Sequence, residues 1–139
     1  MAKVVIDANV LISAVFGGIP LDAVGKAFSA GQVYLSPDIV AEVEVTVHRL
    51  GSKLGSEKTM ALLVLWKKFR SLCEVVEPKR QVTICRDPKD DAYLSLCAGV
   101  IADYLITGDK DLLVVDPART PELPHRLKIL TPRQFLESE

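Results

Sequence analysis

Acidic residues follow the predicted strands of this chain or open its predicted helices. Asp7 comes directly after the apolar run 3–6, and Asp109 follows the run 102–106. Glu42 lies in the second turn of the helix predicted after residues 33–35, and Asp90 and Asp91 open a later helix. The carboxyl ends of parallel strands meet at one edge of a sheet. If the strands are parallel, these acids therefore share one edge.

Carboxylates that converge in this way repel one another unless they bind a proton or share a cation. An oxygen-rich cluster without histidine or cysteine suits a hard ion, Mg²⁺ or Mn²⁺. Such ions commonly serve phosphoryl chemistry. Each acid also has a simpler explanation, because Asp7 and Asp90 could cap helices, Asp109 could belong to a turn and Glu42 could be solvated. The convergence of the acids, and not any single one, predicts a metal site.

The cysteines and histidines indicate neither a disulfide framework nor a further metal site. Cys73, Cys85 and Cys97 are odd in number, widely spaced and without a C-x-x-C pair, which argues against a disulfide framework and against a zinc site. His48 and His125 are isolated and lack metal-ligand spacing. The formal net charge of −1 excludes a uniformly basic surface, so contact with nucleic acid would need local basic patches.

Apolar runs and capping residues predict which elements position the acids. The strands are predicted at 3–6, 33–35, 74–76, 102–106 and 128–130. The helices are predicted at 9–16, 21–30, 37–51, 56–72, about 88–98, and after Thr131-Pro132. Strands that alternate with helices indicate an α/β fold with a mainly parallel sheet. The length predicts one domain over residues 1–139.

The helix predicted at 56–72 carries more apolar surface than one face of a sheet needs. Its apolar residues are Leu62, Leu65, Trp66, Phe69 and Leu72 in one stripe, widened by Met60, Leu63 and Val64. A core helix is the simpler interpretation, and a protein–protein surface is the second. The sequence shows neither a charged-then-apolar leader nor an apolar run of membrane-spanning length. We therefore expect a cytoplasmic protein with no membrane partner.

Several segments in order resemble the PIN-domain proteins, in particular those described as toxin components of toxin–antitoxin pairs. The segments are VVIDANVLISA, SPDIVAEV, CRDPKDDAYLSLCAGVIADYLITGDKDLL and the closing ILTPRQFL. The resemblance extends over nearly the whole chain. It implies a three-layer α/β/α sandwich with a mainly parallel central sheet, and a nuclease that depends on Mg²⁺ or Mn²⁺.

The resemblance also assigns roles to individual residues. It implies that the catalytic, metal-binding acids are Asp7, Glu42, Asp91 and Asp109. The spacing to Ala98 and to the T-x-D motif selects Asp91 rather than Asp90 as the third acid. The residues that support the acids are then Asn9, Asp90, Thr107 and Asp111.

The activity implied is hydrolysis of RNA phosphodiester bonds by an endoribonuclease, which leaves a 5′-phosphate and a 3′-hydroxyl. The implied partners are the RNA substrate, a cognate antitoxin of a type II toxin–antitoxin pair, and a second copy of the chain in a homodimer that uses the apolar surface around Trp66 and Phe69. Basic residues must flank the acids for RNA to bind. The candidates are Lys110 and Arg49 first, then Arg86, Lys89, Lys67, Lys68 and Arg70.

Two other functions fit parts of the sequence. A PIN-like module could bind RNA or a protein without cutting, although a pure binder has no need of four clustered acids. A phosphatase with an aspartyl nucleophile usually needs a second acid two residues after the first, where this chain has Asn9. Metal-dependent cleavage of RNA separates the nuclease from the binding module, and a trapped aspartyl-phosphate would identify the phosphatase.

Overall fold

A computed structural model describes residues 1–138 of the chain. Within that range the strands are β1 Ala2–Ile6, β2 Gly31–Leu35, β3 Glu74–Val75, β4 Tyr104–Ile106 and β5 Lys128–Leu130. The α-helices there are α1 Ala8–Ser13, α2 Gly18–Ala30, α3 Pro37–Gly51, α4 Ser56–Leu72, α5 Pro88–Val100, α6 Lys110–Leu113 and α7 Pro132–Glu137. Short 3-10 turns occupy Ala14–Phe16 and Pro117–Arg119.

The strands form one parallel sheet in the order β3-β2-β1-β4-β5. Helix α2 packs against β1 and β2, and α5 packs against β1, β2 and β4. Right-handed crossovers put the connection from β1 to β2 on one face and the connection from β3 to β4 on the other. The α/β class and the parallel sheet predicted from the sequence are confirmed.

The direction of the chain across the sheet reverses between β1 and β4. From β1 the chain moves outward to β2 and β3, and it then returns to place β4 and β5 on the opposite side of β1. In open parallel sheets, ligands bind outside the carboxyl ends of the strands at such a switch point. The ends of β1 and β4 carry Asp7 and Thr107, so the topology places these residues at the expected binding edge.

Side-chain caps explain why the helices begin where they do. The Ser36 hydroxyl accepts a 3.3 Å hydrogen bond from the Ile39 amide, and Pro37 stands at the first helical position, where a missing N–H costs nothing. Asp87 caps α5 in the same way, ahead of Pro88. Thr131 and Gln134 form a capping box at the start of α7.

The helix predicted at 9–16 is instead two short pieces. Helix α1 ends at Ser13, a 3-10 turn follows, and Gly17 and Gly18 have φ angles of 82° and 71°. Helix α2 begins at Gly18 and not at residue 21. Pro20 fits inside the first turn, because backbone N–H groups there have no partner within the helix and proline lacks this group. The glycines thus allow a sharp bend between the 3-10 turn that ends at Phe16 and helix α2, which follows after one residue.

The strand predicted at 102–106 begins later, at Tyr104. Helix α5 continues to Val100, and Ile101 ends it in the left-handed region with φ of 56°. A further helix, α6, was not predicted; Asp109 caps it by accepting a 2.8 Å hydrogen bond from the Asp111 amide. Residues 102–103 therefore connect α5 to β4 and do not extend the strand.

Helix α4 divides its apolar residues between the core and the surface. Trp66 and Phe69 are buried, and Phe69 stacks on Phe28 with ring centroids 5.6 Å apart. The simpler interpretation, a core helix, is therefore confirmed for these two rings, and the rings themselves belong to no exposed surface. The exposed apolar side of α4 instead carries Met60 and Val64, which are 60% and 63% exposed.

In residues 1–138, no single helix has both the length and the apolar composition for crossing a membrane, whereas the sharply bent pair Ala8–Phe16 and Gly18–Ala30 meets both criteria on length and composition alone.

Candidate metal centre

Asp7 and Asp109 follow neighbouring strands and are connected through Thr107. Ile6 pairs with Ile106, and the Asp7 amide donates a 2.9 Å hydrogen bond to the Ile106 carbonyl. The buried Thr107 hydroxyl donates a 2.7 Å hydrogen bond to Oδ2 of Asp7 and accepts one of 3.0 Å from the Asp109 amide. One hydroxyl thus fixes the first acid and the backbone of the second, as a polar residue supporting the acids should.

Asp7 also caps helix α1. Its Oδ1 accepts a 3.0 Å hydrogen bond from the Asn9 amide. The Asn9 side chain was expected to orient this carboxylate, but within residues 1–138 the bond to Asp7 comes from the Asn9 backbone. The Asn9 side chain is exposed beside the acid. Asp7 can cap α1 and also bind a metal, because the dipole of a helix and a bound cation both favour the ionised carboxylate.

Asp90, Asp109 and Asp111 form the tightest acidic group among residues 1–138. Each offers a carboxylate oxygen, and these oxygens lie within 4.8 Å of one another. Asp90 is only 6% exposed. Its pKa is raised to about 7, first by burial, then by a hydrogen bond with Asp109 and by the negative charges of Asp109, Asp87 and Asp111. The exposed Arg86 guanidinium lies 3.4 Å from Asp111.

Asp91 lies outside this group. Its Oδ1 accepts hydrogen bonds of 2.9 Å from the Ile84 amide and 2.7 Å from the Cys85 amide. Asp90 and Asp91 are consecutive residues of α5, and consecutive side chains leave a helix about 100° apart. Asp90 therefore reaches Asp109, while Asp91 anchors the segment before the helix. The spacing argument that selects Asp91 as the third acid stays a prediction, and this geometry favours Asp90 instead.

Glu42 reaches the site from α3 and lies apart from the group of three. Its Oε2 accepts a 2.9 Å hydrogen bond from the Tyr93 hydroxyl, which in turn accepts one of 3.0 Å from the Ala8 amide. Burial raises the pKa of Glu42, the bond from Tyr93 lowers it, and the charge of Asp7 raises it further. The Lys89 charge also acts on this pKa, in the lowering direction, so Lys89 is near enough to influence the site.

Sequence reasoning missed Tyr93. The residue lies in the helix predicted at about 88–98, in which the sequence pattern indicated only the acids Asp90 and Asp91 as candidates. One signal could have found it: Tyr93 is three residues after Asp90, and side chains three apart share a helix face. A tyrosine on the acidic face of a helix can donate a hydrogen bond from its hydroxyl to a carboxylate, which a phenylalanine cannot do.

A cleft of about 380 Å³ opens beside Asp7 and Asp109. Its lining residues are Asp7, Asn9, Val10, Ser13, Pro20, Gly108, Asp109 and Pro132. Apart from the two acids, these residues are neutral, and several of them are apolar. The cleft can therefore take a weakly polar group of a ligand. A charged group of the same ligand would lie next to it, at the acids or at a cation that they share.

A second groove, of about 450 Å³, lies between α3 and α4. Its lining residues are Glu44, Val47, His48, Gly51, Ser52, Thr59, Leu63 and Trp66. None of these belongs to the acidic site. The groove borders the exposed apolar side of α4, because Leu63 lines it and Val64 is the next residue.

Comparison with known proteins agrees with the architecture. A sequence model of the PIN domain family matches residues 3–111. An uncharacterized protein of Methanocaldococcus jannaschii is 33% identical over 142 residues, which cover 97% of this chain and 90% of that protein.

Two solved structures are similar in backbone. A chain of VapBC2 from Rickettsia felis, in a crystal structure with a DNA fragment from their promoter, aligns with a TM-score of 0.60 and 14% identity over 91% of this chain and 98% of that one. The RRP44 PIN domain of T. brucei aligns with a TM-score of 0.45 and 17% identity over 98% of this chain and 79% of that one. The likeness to the VapBC2 chain supports the fold and no more.

Proposed function

This chain belongs to the PIN domain family, and from that premise we propose that it is a metal-dependent endoribonuclease. The observation that carries the proposal is the acidic group at the sheet's switch point. Three carboxylates lie within 4.8 Å of one another, and Thr107 connects one of them, Asp109, to Asp7. Crowded carboxylates of this kind require a proton or a cation.

The donor set fits a hard divalent ion. All candidate ligands are carboxylate oxygens, which Mg²⁺ and Mn²⁺ prefer over soft donors. Asp90, Asp109 and Asp111 would hold the ion together with Asp7, and Glu42 would reach it from α3. In this proposal Asp90, and not Asp91, is the third metal-binding acid. When bound, the ion would supply an acidified water and neutralise charge on the phosphate.

The surrounding residues would place the RNA. The reaction would be the addition of a water oxygen to phosphorus and the breaking of the bond between phosphorus and the 3′-oxygen. One proton of the water would end on the 3′-oxygen, so that the products are a 5′-phosphate and a 3′-hydroxyl. The scissile phosphate belongs at Asp7 and Asp109, and the neighbouring nucleoside would enter the cleft lined by Ser13 and Pro132. Arg86 and Lys89 flank the acids and can contact adjacent phosphates, so they replace Lys110 and Arg49 as first candidates.

The test is cleavage of a fluorescent single-stranded oligoribonucleotide by purified protein. We expect cleavage with millimolar Mn²⁺ or Mg²⁺, none with EDTA, and new ends that carry a 5′-phosphate. A protein that is folded and binds Mn²⁺ but cuts no RNA would contradict the nuclease proposal, and a retained RNA affinity would then identify a binding module.

We also propose a toxin role, because several segments of the sequence resemble the toxin components of toxin–antitoxin pairs, and a chain of VapBC2 shares the fold. Here the chain would act in the cytoplasm, assemble as a homodimer, and be held inactive by an antitoxin. The exposed Met60 and Val64 beside the groove between α3 and α4 offer an apolar surface for contact with the second copy or with the antitoxin.

Induced expression in bacterial cells should arrest growth for the wild type and not for Asp109→Asn. Equal growth of both would contradict the toxin role, and a monomer by light scattering at micromolar concentration would contradict the dimer.

A further inference from the structure

Tyr93 joins three parts of the site through one hydroxyl. The side chain projects from α5 and is 2% exposed. Its hydroxyl donates to Oε2 of Glu42 at 2.9 Å and accepts from the amide of Ala8 at 3.0 Å. Ala8 directly follows Asp7 and is the first residue of α1. The hydroxyl therefore bridges α3 to the backbone that carries the first acid.

The direction of these hydrogen bonds is fixed by chemistry. A phenol has one proton and an amide nitrogen can only donate, so the Tyr93 proton must point to Glu42 while a lone pair accepts from Ala8. A phenylalanine would fill the same volume without needing partners, and burying a hydroxyl is unfavourable unless it is hydrogen-bonded. The buried hydroxyl thus has a defined arrangement at the acidic edge of the sheet.

Glu42 is the acid that most needs such support. It has a longer side chain than the aspartates, is only half-buried, and lies outside the group of Asp90, Asp109 and Asp111. A free glutamate side chain loses rotamer freedom when it binds an ion. A hydrogen bond that already orients one carboxylate oxygen reduces that loss, as outer partners of metal ligands commonly do.

We propose that Tyr93 is a positioning residue that holds the Glu42 carboxylate toward Asp7 for binding of the divalent ion. The inference rests on the proposed function, because it takes Glu42 as a ligand. A purely structural role is the alternative, in which Tyr93 only satisfies the Ala8 amide. That role predicts lower stability of a phenylalanine variant but no change in its affinity for metal.

The experiment compares Tyr93→Phe with a matched control, Tyr104→Phe. Tyr104 lies on β4, and its ring packs edge-to-face on Phe135 of α7. Mn²⁺ affinity is measured by calorimetry and by the shift of melting temperature with Mn²⁺ concentration. We expect Tyr93→Phe to weaken Mn²⁺ binding about tenfold and Tyr104→Phe to leave it unchanged. Unchanged affinity in Tyr93→Phe would overturn the proposal, whatever its melting temperature.

A double-mutant cycle tests whether Tyr93 acts through Glu42. In a Glu42→Gln background the Tyr93→Phe change should alter Mn²⁺ affinity no further, because coupled residues are not additive. Independent, additive losses would overturn the proposal. A wild type that binds no Mn²⁺ would overturn both this inference and the proposed function. A wild type whose Mn²⁺ affinity depends on Glu42 and Tyr93 as expected, but which cuts no RNA, would overturn the proposed function alone.

Discussion

The Thr107 hydroxyl donates a 2.7 Å hydrogen bond to Asp7 from the neighbouring strand end, and both side chains are buried. This bond exists because β1 and β4 are adjacent parallel strands in a register that puts Asp7 beside Thr107. It connects residues far apart in the chain and determines how the first acid faces the site.

Thr107→Val should test that bond, since valine keeps the shape of threonine and removes the hydroxyl. A buried carboxylate then loses a donor, and we expect the free energy of unfolding to fall by about 1–3 kcal/mol. Thr107→Ser keeps the hydroxyl and serves as the control. Urea denaturation of both variants is the measurement. Equal stability of Thr107→Val and wild type would show that the bond contributes nothing to the fold.

Asp90→Asn should stabilise the metal-free protein, and more so at high pH. The folded-state pKa of Asp90, about 7, lies above its ordinary value of 3.8, so the folded protein binds more protons than the unfolded chain between these values. Burial of Asp90 therefore costs stability as pH rises from about 4 to 7, and the full penalty persists above that range. Removing the charge should raise the free energy of unfolding by about 1 kcal/mol or more near pH 8 and by little near pH 4.

Melting of wild type and Asp90→Asn in EDTA across this pH range measures the effect. Mn²⁺ should reverse the order of stability at pH 8, because only the wild type offers the full acidic group. A variant that is less stable than wild type at every pH would contradict the crowding of Asp90 with Asp109 and Asp111.

Asp91→Ala should behave in the opposite way to Asp90→Asn. Asp91 accepts two backbone hydrogen bonds, from Ile84 and Cys85, and alanine leaves both amides without that acceptor. We expect a loss of about 1–3 kcal/mol in the free energy of unfolding and a Mn²⁺ affinity close to wild type. Thermal melts and Mn²⁺ titration measure both. A stable variant that has lost Mn²⁺ binding would restore Asp91 as the ligand.

Ser13→Trp should block the cleft beside Asp7 and Asp109. Ser13 is exposed at the end of α1, so the fold can accommodate a large side chain there while that side chain fills the cleft proposed for the nucleoside. We expect kcat/KM for single-stranded RNA to fall about tenfold or more through misplacement of the substrate, with the Mn²⁺-induced shift in melting temperature unchanged. Ser71→Trp, at an exposed position of α4, is the control. Wild-type kcat/KM in Ser13→Trp would exclude the cleft from the RNA path.

The sequence predicts much of this site because the fold concentrates chemistry at strand ends. Apolar runs that stop at Asp7 and before Thr107 and Asp109 indicate parallel strands, and parallel strands bring their carboxyl ends to one edge. The cap-plus-proline starts at Ser36 and Asp87 locate α3 and α5. These signals are local, and local signals are sufficient for the strands and the longer helices.

The remaining features depend on how the elements pack. Asp90 and Asp91 open the same helix and the spacing favours Asp91, whereas the orientation of α5 on the sheet determines which of the two meets Asp109. Tyr93 looks like a core residue until α3 brings Glu42 against it. Trp66 and Phe69 lie on a stripe whose burial depends on contacts with α2 and α3, including the ring of Phe28. The apolar periodicity of a single segment does not show how that segment packs against the others.

Asp109→Asn tests the assignment of the acidic group as a catalytic metal centre most directly. Asparagine caps a helix as well as aspartate does, so α6 should be preserved. The melting temperature in EDTA should stay the same or rise, because one of the crowded negative charges is removed. An amide binds Mg²⁺ or Mn²⁺ far less well than a carboxylate. The measurement is Mn²⁺-dependent cleavage of a single-stranded oligoribonucleotide by wild type and variant, beside their melting temperatures in EDTA. We predict a loss of cleavage of about a hundredfold at an unchanged or raised melting temperature, whereas full cleavage by the variant would contradict the assignment of this group as the catalytic metal site.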